Sequence, residues 1–512
     1  MEMFGRFLVT PPKKRSLPKG ITLDNLNFVN QEDGFVFIPT SLYSAGQAAK
    51  TKSMAAKTDA ITDRNRDNTI LLGDSGGFQI QTGSIKFKGD ETKERMLRWL
   101  EKNCDWSMIL DFPTGGVDMG TIDLHLPRIQ TDLQKTPYQY KKGKKNHTFS
   151  SAEDFCKFLN LDVADEGNVG YSACLIQTMI NNDYFSQHRV PGSTKFLNVI
   201  QGRSLEESKV WYEHVKHYEF EGWALASLHK ENLVMAMSRL VDMYHDGLLQ
   251  TKDWIHMLGV GKLPNGCVYT TIQRAIRENI NPNLTISYDV SSPFTTAAFG
   301  NVFLGYTLDK NKWTIQSQTL NNPEHLKGRS LYNSLLVDEL RKLYEQKSSG
   351  DIEDGGNSRF IISEVAKRLH MSDLCVLDDK RYASSWDLSS YIMLMHHNLQ
   401  VHLTSVFDAQ DVYDSGDIER IPAGLLRLKE LIPDIFNVCI KKGKKEALNM
   451  IQKYGDDLNY LAGDGAKSGI PILTEFDFPS KNVHNASIRK IKEINTASKR
   501  VYFNNLKDES LW

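Results

Sequence analysis

The chain is short of cysteine. The six it has, Cys104, Cys156, Cys174, Cys267, Cys375 and Cys439, are scattered, with no two closer than 18 residues. That spacing leaves no CxxC zinc ribbon and no compact disulfide framework. Apolar runs are short as well, none approaching the ~18 residues of a membrane span. The opening residues, Met1-Glu2-Met3-Phe4-Gly5-Arg6, carry no secretory h-region. A reducing cytoplasm is the expected setting. Neither sign of charge prevails, since 62 Lys and Arg face 63 Asp and Glu for a net charge of −1. The molecule as a whole is therefore no polycation, and any nucleic-acid contact must come from local patches. No GxGxxG fingerprint occurs, and Gly259-Val260-Gly261-Lys262 lacks the spacing and the Ser/Thr of a phosphate-binding P-loop.

What is present is ordinary in bulk and specific in detail. With 40% hydrophobic and 24% charged residues over 512 positions, the composition is that of a globular protein with two or three domains. Thr69-Ile70-Leu71-Leu72 reads as a buried strand that stops at Gly73-Asp74-Ser75-Gly76-Gly77-Phe78-Gln79. Paired glycines let backbone turn tightly and approach a ligand closely.

The same sentence structure recurs along the chain. Phe35-Val36-Phe37-Ile38-Pro39 reads as a first strand after an N-terminal arm over 1–34, of mixed composition with a basic stretch at Pro11-Pro12-Lys13-Lys14-Arg15. Helical spacing over 91–103 leads into Trp106-Ser107-Met108-Ile109-Leu110, which ends at Asp111 before Pro113-Thr114-Gly115-Gly116. Phe196-Leu197-Asn198-Val199-Ile200 ends at Gln201-Gly202, and Ser204 with Glu207 forms a capping box for the next helix. Gly222 to Leu228, Ile255 to Gly261 and Leu284 to Tyr288 are further strands, the last ending at Asp289, with helices between them. Strand, polar or glycine terminus, helix, repeated at least six times, predicts a parallel α/β protein. Because the reactive residues fall at the C-terminal ends of strands, the predicted architecture is a (β/α)8 TIM-like barrel over 35–300, with an insertion at 114–190. Residues 301–512 are expected to be mostly helical, completing the barrel and adding a nucleic-acid-binding surface, with an acidic linker near 350–356. Their last 72 residues hold 13 Lys and Arg against 9 Asp and Glu.

Two or three carboxylates at a barrel mouth suit chemistry at an anomeric carbon. One carboxylate attacks C1 of a sugar and the other manages the proton of the leaving or incoming group. Remaining Asp and Gln side chains offer adjacent donors and acceptors to a planar heterocycle. On residue type alone, a retaining glycosidase and an N-glycosyl transferase both fit.

Asp74-Ser75-Gly76-Gly77-Phe78-Gln79 resembles the most characteristic motif of the tRNA-guanine transglycosylases. Five further blocks resemble that family in the right order: Leu110-Asp111, Val199-Ile200-Gln201-Gly202, Glu221 to Leu228, Met257-Leu258-Gly259-Val260-Gly261 and Ser287 to Pro293. The resemblance spans about residues 69–295 in discontinuous pieces. It implies Asp289 as the nucleophile at C1′ and Asp74 as the acid/base. It further implies Ser75, Asp111, Gln201, Ser227, Leu228 and Gly259 around the base edge, with Phe78 and Leu258 sandwiching the ring.

Departures from the family point to one branch of it. The zinc-binding C-x-C-x2-C is missing. Only Cys375 precedes His397-Asn398-Leu399 at short range, and Asp378 or His370 are the other residues a degenerate zinc site would use with His397. The expectation is a metal-free subdomain and a reaction without a cofactor. An arginine after the nucleophile is also missing, the sequence there being Pro293-Phe294-Thr295. This pattern is similar to the DNA-modifying branch found in phages and bacterial genomic islands, which exchanges guanine in DNA for a 7-deazaguanine such as preQ0. The implied partners are duplex DNA with a flipped guanine and the free base, with a helper protein or a second copy of the chain as further partners considered. Lys141, Lys142, Lys144 and Lys145, flanked by Tyr138 and Tyr140, and Lys441, Lys442, Lys444 and Lys445 are the expected phosphate contacts. A divergent enzyme acting on tRNA is the alternative.

Overall fold

Short apolar runs become parallel strands here because each is bounded by a helix that covers it. The computed structural model describes residues 17–320, 334–348, 357–374 and 388–462. Strands β1 (Thr40–Ser44), β2 (Ile70–Asp74) and β3 (Trp106–Met108) come first. An antiparallel hairpin follows, β4 (Tyr138–Lys142) and β5 (Lys145–Phe149). Then come β6 (Lys195–Ile200), β7 (Gly222–Leu225), β8 (Trp254–Met257) and β9 (Thr285–Tyr288). Seven of these pair in parallel in the order β1-β2-β3-β6-β7-β8-β9. Their near-continuous burial is what a parallel sheet covered by crossover helices requires. The covering helices are Asp90–Asn103, Glu166–His188, Leu205–Val215, Leu233–His245 and Leu263–Asn279.

The sheet curls. Trp106 on β3 and Trp254 on β8 are separated by two intervening strands, yet their rings lie 4.8 Å apart between centroids. Lys195 of β6 places its ammonium 4.7 Å from the centre of the Trp106 ring. The two half-buried indoles, with the exposed lysine over one of them, pack one end of the concave face. At the other end lie the strand termini that carry carboxylates and glycines.

Three local expectations change. The first strand starts at Thr40 and not at Phe35, because Pro39 has no N–H to give the ladder; it supplies only its carbonyl, to Ile70 N at 2.7 Å. The lysine run at 141–145 is a hairpin whose two-residue turn has Gly143 at φ 63°. The start of the C-terminal region is a sheet rather than helix: β10 (Asn301–Leu308) pairs antiparallel with β11 (Trp313–Thr319) and β12 (Ser358–Phe360). Alternation of buried and half-exposed residues along β11 marks it as a strand in hindsight.

The described residues fall into two compact units. One holds Ile38–Ser291 and residues 423–462. Within it, helix Ala423–Lys442 packs on Leu263–Asn279, and helix Lys444–Lys453 packs on Leu233–His245. The other holds the chain up to Phe37 and Ser292–Pro422. Its long helix, Leu388–Ser415, is stitched to β10 by consecutive residues. Asn398 accepts from Phe303 N at 2.8 Å and donates to Asn301 O at 3.1 Å, and His397 Nε2 bonds Phe303 O at 2.7 Å. The acidic linker near 350–356 and the basic run at 489–492 lie outside the described residues.

Candidate active site

β2 ends at Asp74 and turns at once into a short helix, Gly77–Gln81. Both glycines of the turn are required by geometry. Gly76 stands at φ 91°, and a Cβ there would lie 2.6 Å from the Gly46 Cα. A Cβ on Gly77 would lie 2.8 Å from the Asp111 carbonyl oxygen. The absence of side chains lets the β2 turn come against the end of β3. Ser75 is fully buried there, and its hydroxyl has no hydrogen-bond partner among the described residues. Phe78, in contrast, is 40% exposed, and Leu258 is half-buried.

Asp111 and Gln201 end neighbouring strands. Gln201 Nε2 donates to Asp111 Oδ2 at 2.6 Å, and both residues are buried. Burial pushes the Asp111 carboxyl up to about 7 with help from the charge of Asp74, against the opposing Gln201 hydrogen bond. Asp74 keeps an edge open, yet protein crowds its carboxyl enough that desolvation raises its pKa. The negative charge of Asp289 adds to that, while bonds from Ser44 and the Gly76 amide oppose it. Asp289 goes the other way. Its burial alone would raise it, but the carboxyl is held low, with the hydrogen bond and charge of His256 the leading lowering influences and the Gly259 amide a smaller one. Gly259 N donates to Asp289 Oδ1 at 2.7 Å from a turn residue at φ 72°. One carboxyl is thus held ionised while two nearby ones are held toward the neutral form, the separation that divides acid/base work between like groups.

Between β7 and its helix, Ser227 has φ 57°, a left-handed conformation that a non-glycine residue adopts at a cost. His229 fixes this turn. Its Nδ1–H donates to Ala226 O at 2.6 Å, and its Nε2 accepts from the Ser208 hydroxyl at 2.7 Å. Complete burial lowers its pKa to about 4, so the ring is neutral and the assignment of its nitrogens consistent. Ser227 and Leu228 are half-buried beside it. The helix before β7 is capped as expected by Ser204, which accepts from Glu207 N at 3.1 Å. The Glu207 carboxylate, however, takes the amide of Arg203 at 2.8 Å.

No protein-family model matches the chain, and a search of the curated proteins finds no match.

The expected phosphate contacts divide. Lys141, Lys142, Lys144 and Lys145 are all exposed on the hairpin. The tyrosines beside them are not available for stacking bases. Tyr140 packs its ring on Phe158, His214 and His217, and Tyr138 bonds Tyr218 at 3.4 Å between hydroxyls. The flanking aromatics of this segment serve the fold. Lys441, Lys442 and Lys445 are exposed, but Lys444 is committed to a buried partner, Asp242, at 2.7 Å. Asp242 also pairs with buried Arg239 at 2.8 Å.

Of the residues considered for zinc, His397 and His370 are among the described residues, and His397 is fully engaged. Its Nδ1 bonds Ser363 Oγ and its Nε2 bonds Phe303 O, each at 2.7 Å, so both nitrogens are taken. His370 lies beside Asp373, and Cys375 and Asp378 lie outside the described residues. Among the described residues no group of three His, Cys, Asp or Glu could hold a metal ion, and no helix is long and apolar enough to cross a membrane.

Sequence reasoning missed His256 and Ser287. Their spacing carried a signal: Trp254 and His256 on β8, and Ser287 on β9 and Asp289 directly after it, each sit two residues apart, the spacing of one face of a strand.

Proposed function

We propose that this protein is a DNA-guanine transglycosylase of (β/α)8-barrel type, exchanging guanine in DNA for a 7-deazaguanine base such as preQ0. What supports the reading is the placement of Asp74, Asp111, Gln201 and Asp289 at the C-terminal ends of parallel strands of one curled sheet, with Gln201 bonded to Asp111 and His256 and the Gly259 amide bonded to Asp289; Asp289 is held low and Asp74 high. In the proposed reaction Asp289 attacks C1′ of the flipped nucleotide. The C1′–N9 bond breaks, its electron pair goes to N9, and protonated Asp74 supplies the proton that guanine takes away. The incoming deazapurine then returns its N9 proton to Asp74, attacks C1′ and displaces Asp289. Asp111 and Gln201, bonded to each other and buried, form an edge with the donors and acceptors a purine requires. Phe78, in the short helix after β2, supplies an exposed apolar face. The exposed lysines of the hairpin, with Lys441, Lys442 and Lys445, suit sequence-independent phosphate contact.

The experiment is guanine release from labelled duplex DNA and from tRNA, with and without preQ0, followed by nucleoside mass spectrometry. Deazaguanine in DNA alone is the expected result. Incorporation into tRNA alone would transfer the reading to tRNA. Asp289→Asn abolishes a trapped covalent DNA adduct, and an undiminished adduct would refute Asp289 as nucleophile.

A further inference from the structure

Asp289 is gripped on one side only. Gly259 N at 2.7 Å and His256 Nε2 at 3.2 Å both bond Oδ1, whereas Oδ2 has no hydrogen bond among the described residues. His256 is itself held from behind. Its Nδ1 lies 2.8 Å from Ser287 Oγ, and Trp254 Nε1 donates to the same oxygen at 2.7 Å. His256 and Ser287 are direct neighbours in the β8–β9 register.

Donor and acceptor chemistry orients this chain. An indole N–H only donates, and an ionised carboxylate only accepts. Ser287 therefore accepts from Trp254 and can pass its own proton to Nδ1, which leaves the ring proton on Nε2, facing Asp289. If the ring carries a second proton, Nε2 is still a donor. Serine, histidine and aspartate are the components of a hydrolase triad, but the ring is reversed. In such triads the serine meets Nε2 and the carboxylate Nδ1. Here the serine sits deeper in the strand and the carboxylate at its end.

We propose that His256, backed by Ser287 and Trp254, is a positioning residue that fixes Asp289 Oδ1 and turns Oδ2 toward the electrophile. This rests on the reading of Asp289 as the nucleophile. Among the described residues, the other titratable groups around the pair include Asp74, which feels both His256 and Asp289, and Tyr269, which feels Asp289. The Lys230 ammonium lies near as well, 3.5 Å from where a Cβ on Gly259 would stand.

Two measurements on the full chain test it. The first is the pH profile of single-turnover covalent adduct formation for wild type, His256→Phe and His256→Gln. Phenylalanine keeps the ring volume and loses the N–H, whereas glutamine can return an N–H near the Nε2 position. Without its donor the Asp289 carboxyl is protonated more easily, so His256→Phe moves the acidic limb upward by about one pH unit and slows that limb roughly tenfold. His256→Gln restores most of the wild-type profile. A uniform loss at every pH, the same in both variants, would overturn the proposal in favour of simple packing. The second measurement needs no substrate. In ¹⁵N spectra of histidine side chains, Asp289→Asn moves the Nε2 resonance of His256 and Ser287→Ala moves its Nδ1 resonance. An Nε2 resonance unmoved by Asp289→Asn overturns the pairing. Absence of any adduct in wild type refutes the transglycosylase reading instead, and the spectra then decide the pairing by themselves.

Discussion

Gln201 Nε2 meets Asp111 Oδ2 at 2.6 Å although the two residues are 90 positions apart in sequence. That contact joins a side chain that keeps both donor and acceptor character to one whose character depends on pH. The folded Asp111 titrates at about 7, against 3.8 for an ordinary aspartate. Stability linked to its neutral form is therefore complete below the unfolded value and is lost as pH rises through the folded one. Asp111→Asn should match wild type in acid and become relatively more stable toward neutral pH, by up to ~4 kcal/mol. Urea unfolding at a series of pH values measures this. A stability difference that does not change with pH would contradict the burial argument.

Asp74→Asn keeps the shape of the side chain and removes its acidic proton. In the proposed reaction adduct formation and guanine release are one step, so in the variant both should slow about 10²-fold or more. Single-turnover release at fixed pH tests this. Wild-type release by Asp74→Asn would move the proton transfer to another group, with Asp111 the first to examine.

Ser227 occupies backbone space that suits glycine. Ser227→Gly removes the left-handed strain but adds unfolded-state freedom, leaving a net stabilisation of about 0.5–1 kcal/mol. Ser227→Val places a branched carbon in the same conformation and should cost about 1–2 kcal/mol. The two urea midpoints should fall on opposite sides of wild type.

The lysines separate by surroundings. Lys141→Glu with Lys145→Glu should weaken DNA binding, flatten its dependence on salt and leave thermal stability unchanged. Lys444→Ala should do the reverse, leaving the salt slope of binding intact. It removes a partner from buried Asp242, at a cost of about 1–2 kcal/mol because the lysine head is itself partly in water. Equal salt slopes for wild type and the hairpin variant would exclude the hairpin as a phosphate contact.

Much of the parallel sheet was legible because each strand is a short apolar run ending in a polar or glycine turn, a pattern written locally. Asp74, Asp111, Gln201 and Asp289 were legible for the same reason, each being the first residue after such a run or its last. What surrounds them was not. His256 interrupts an apolar run and reads as a core histidine until β9 is placed beside β8. Whether Lys444 faces solvent or Asp242 depends on how one helix packs on another more than 190 residues earlier in the chain. The tyrosines of the hairpin look like a stacking platform in sequence, and only the neighbouring helices show that their rings are already in use. Strand β11 was missed because a polar two-stranded pattern has no apolar run to announce it.

The packed end of the curled sheet has a kinetic consequence. Trp106 packs against Trp254 at that end, with the Lys195 ammonium over the Trp106 ring. In the proposed exchange the departing purine and its replacement would then have to use the same opening. Two planar bases cannot occupy one slot together, so the first product must leave before the second reactant arrives. Such traffic gives a ping-pong pattern, with parallel lines in double-reciprocal plots, and makes free guanine a competitor of the incoming base.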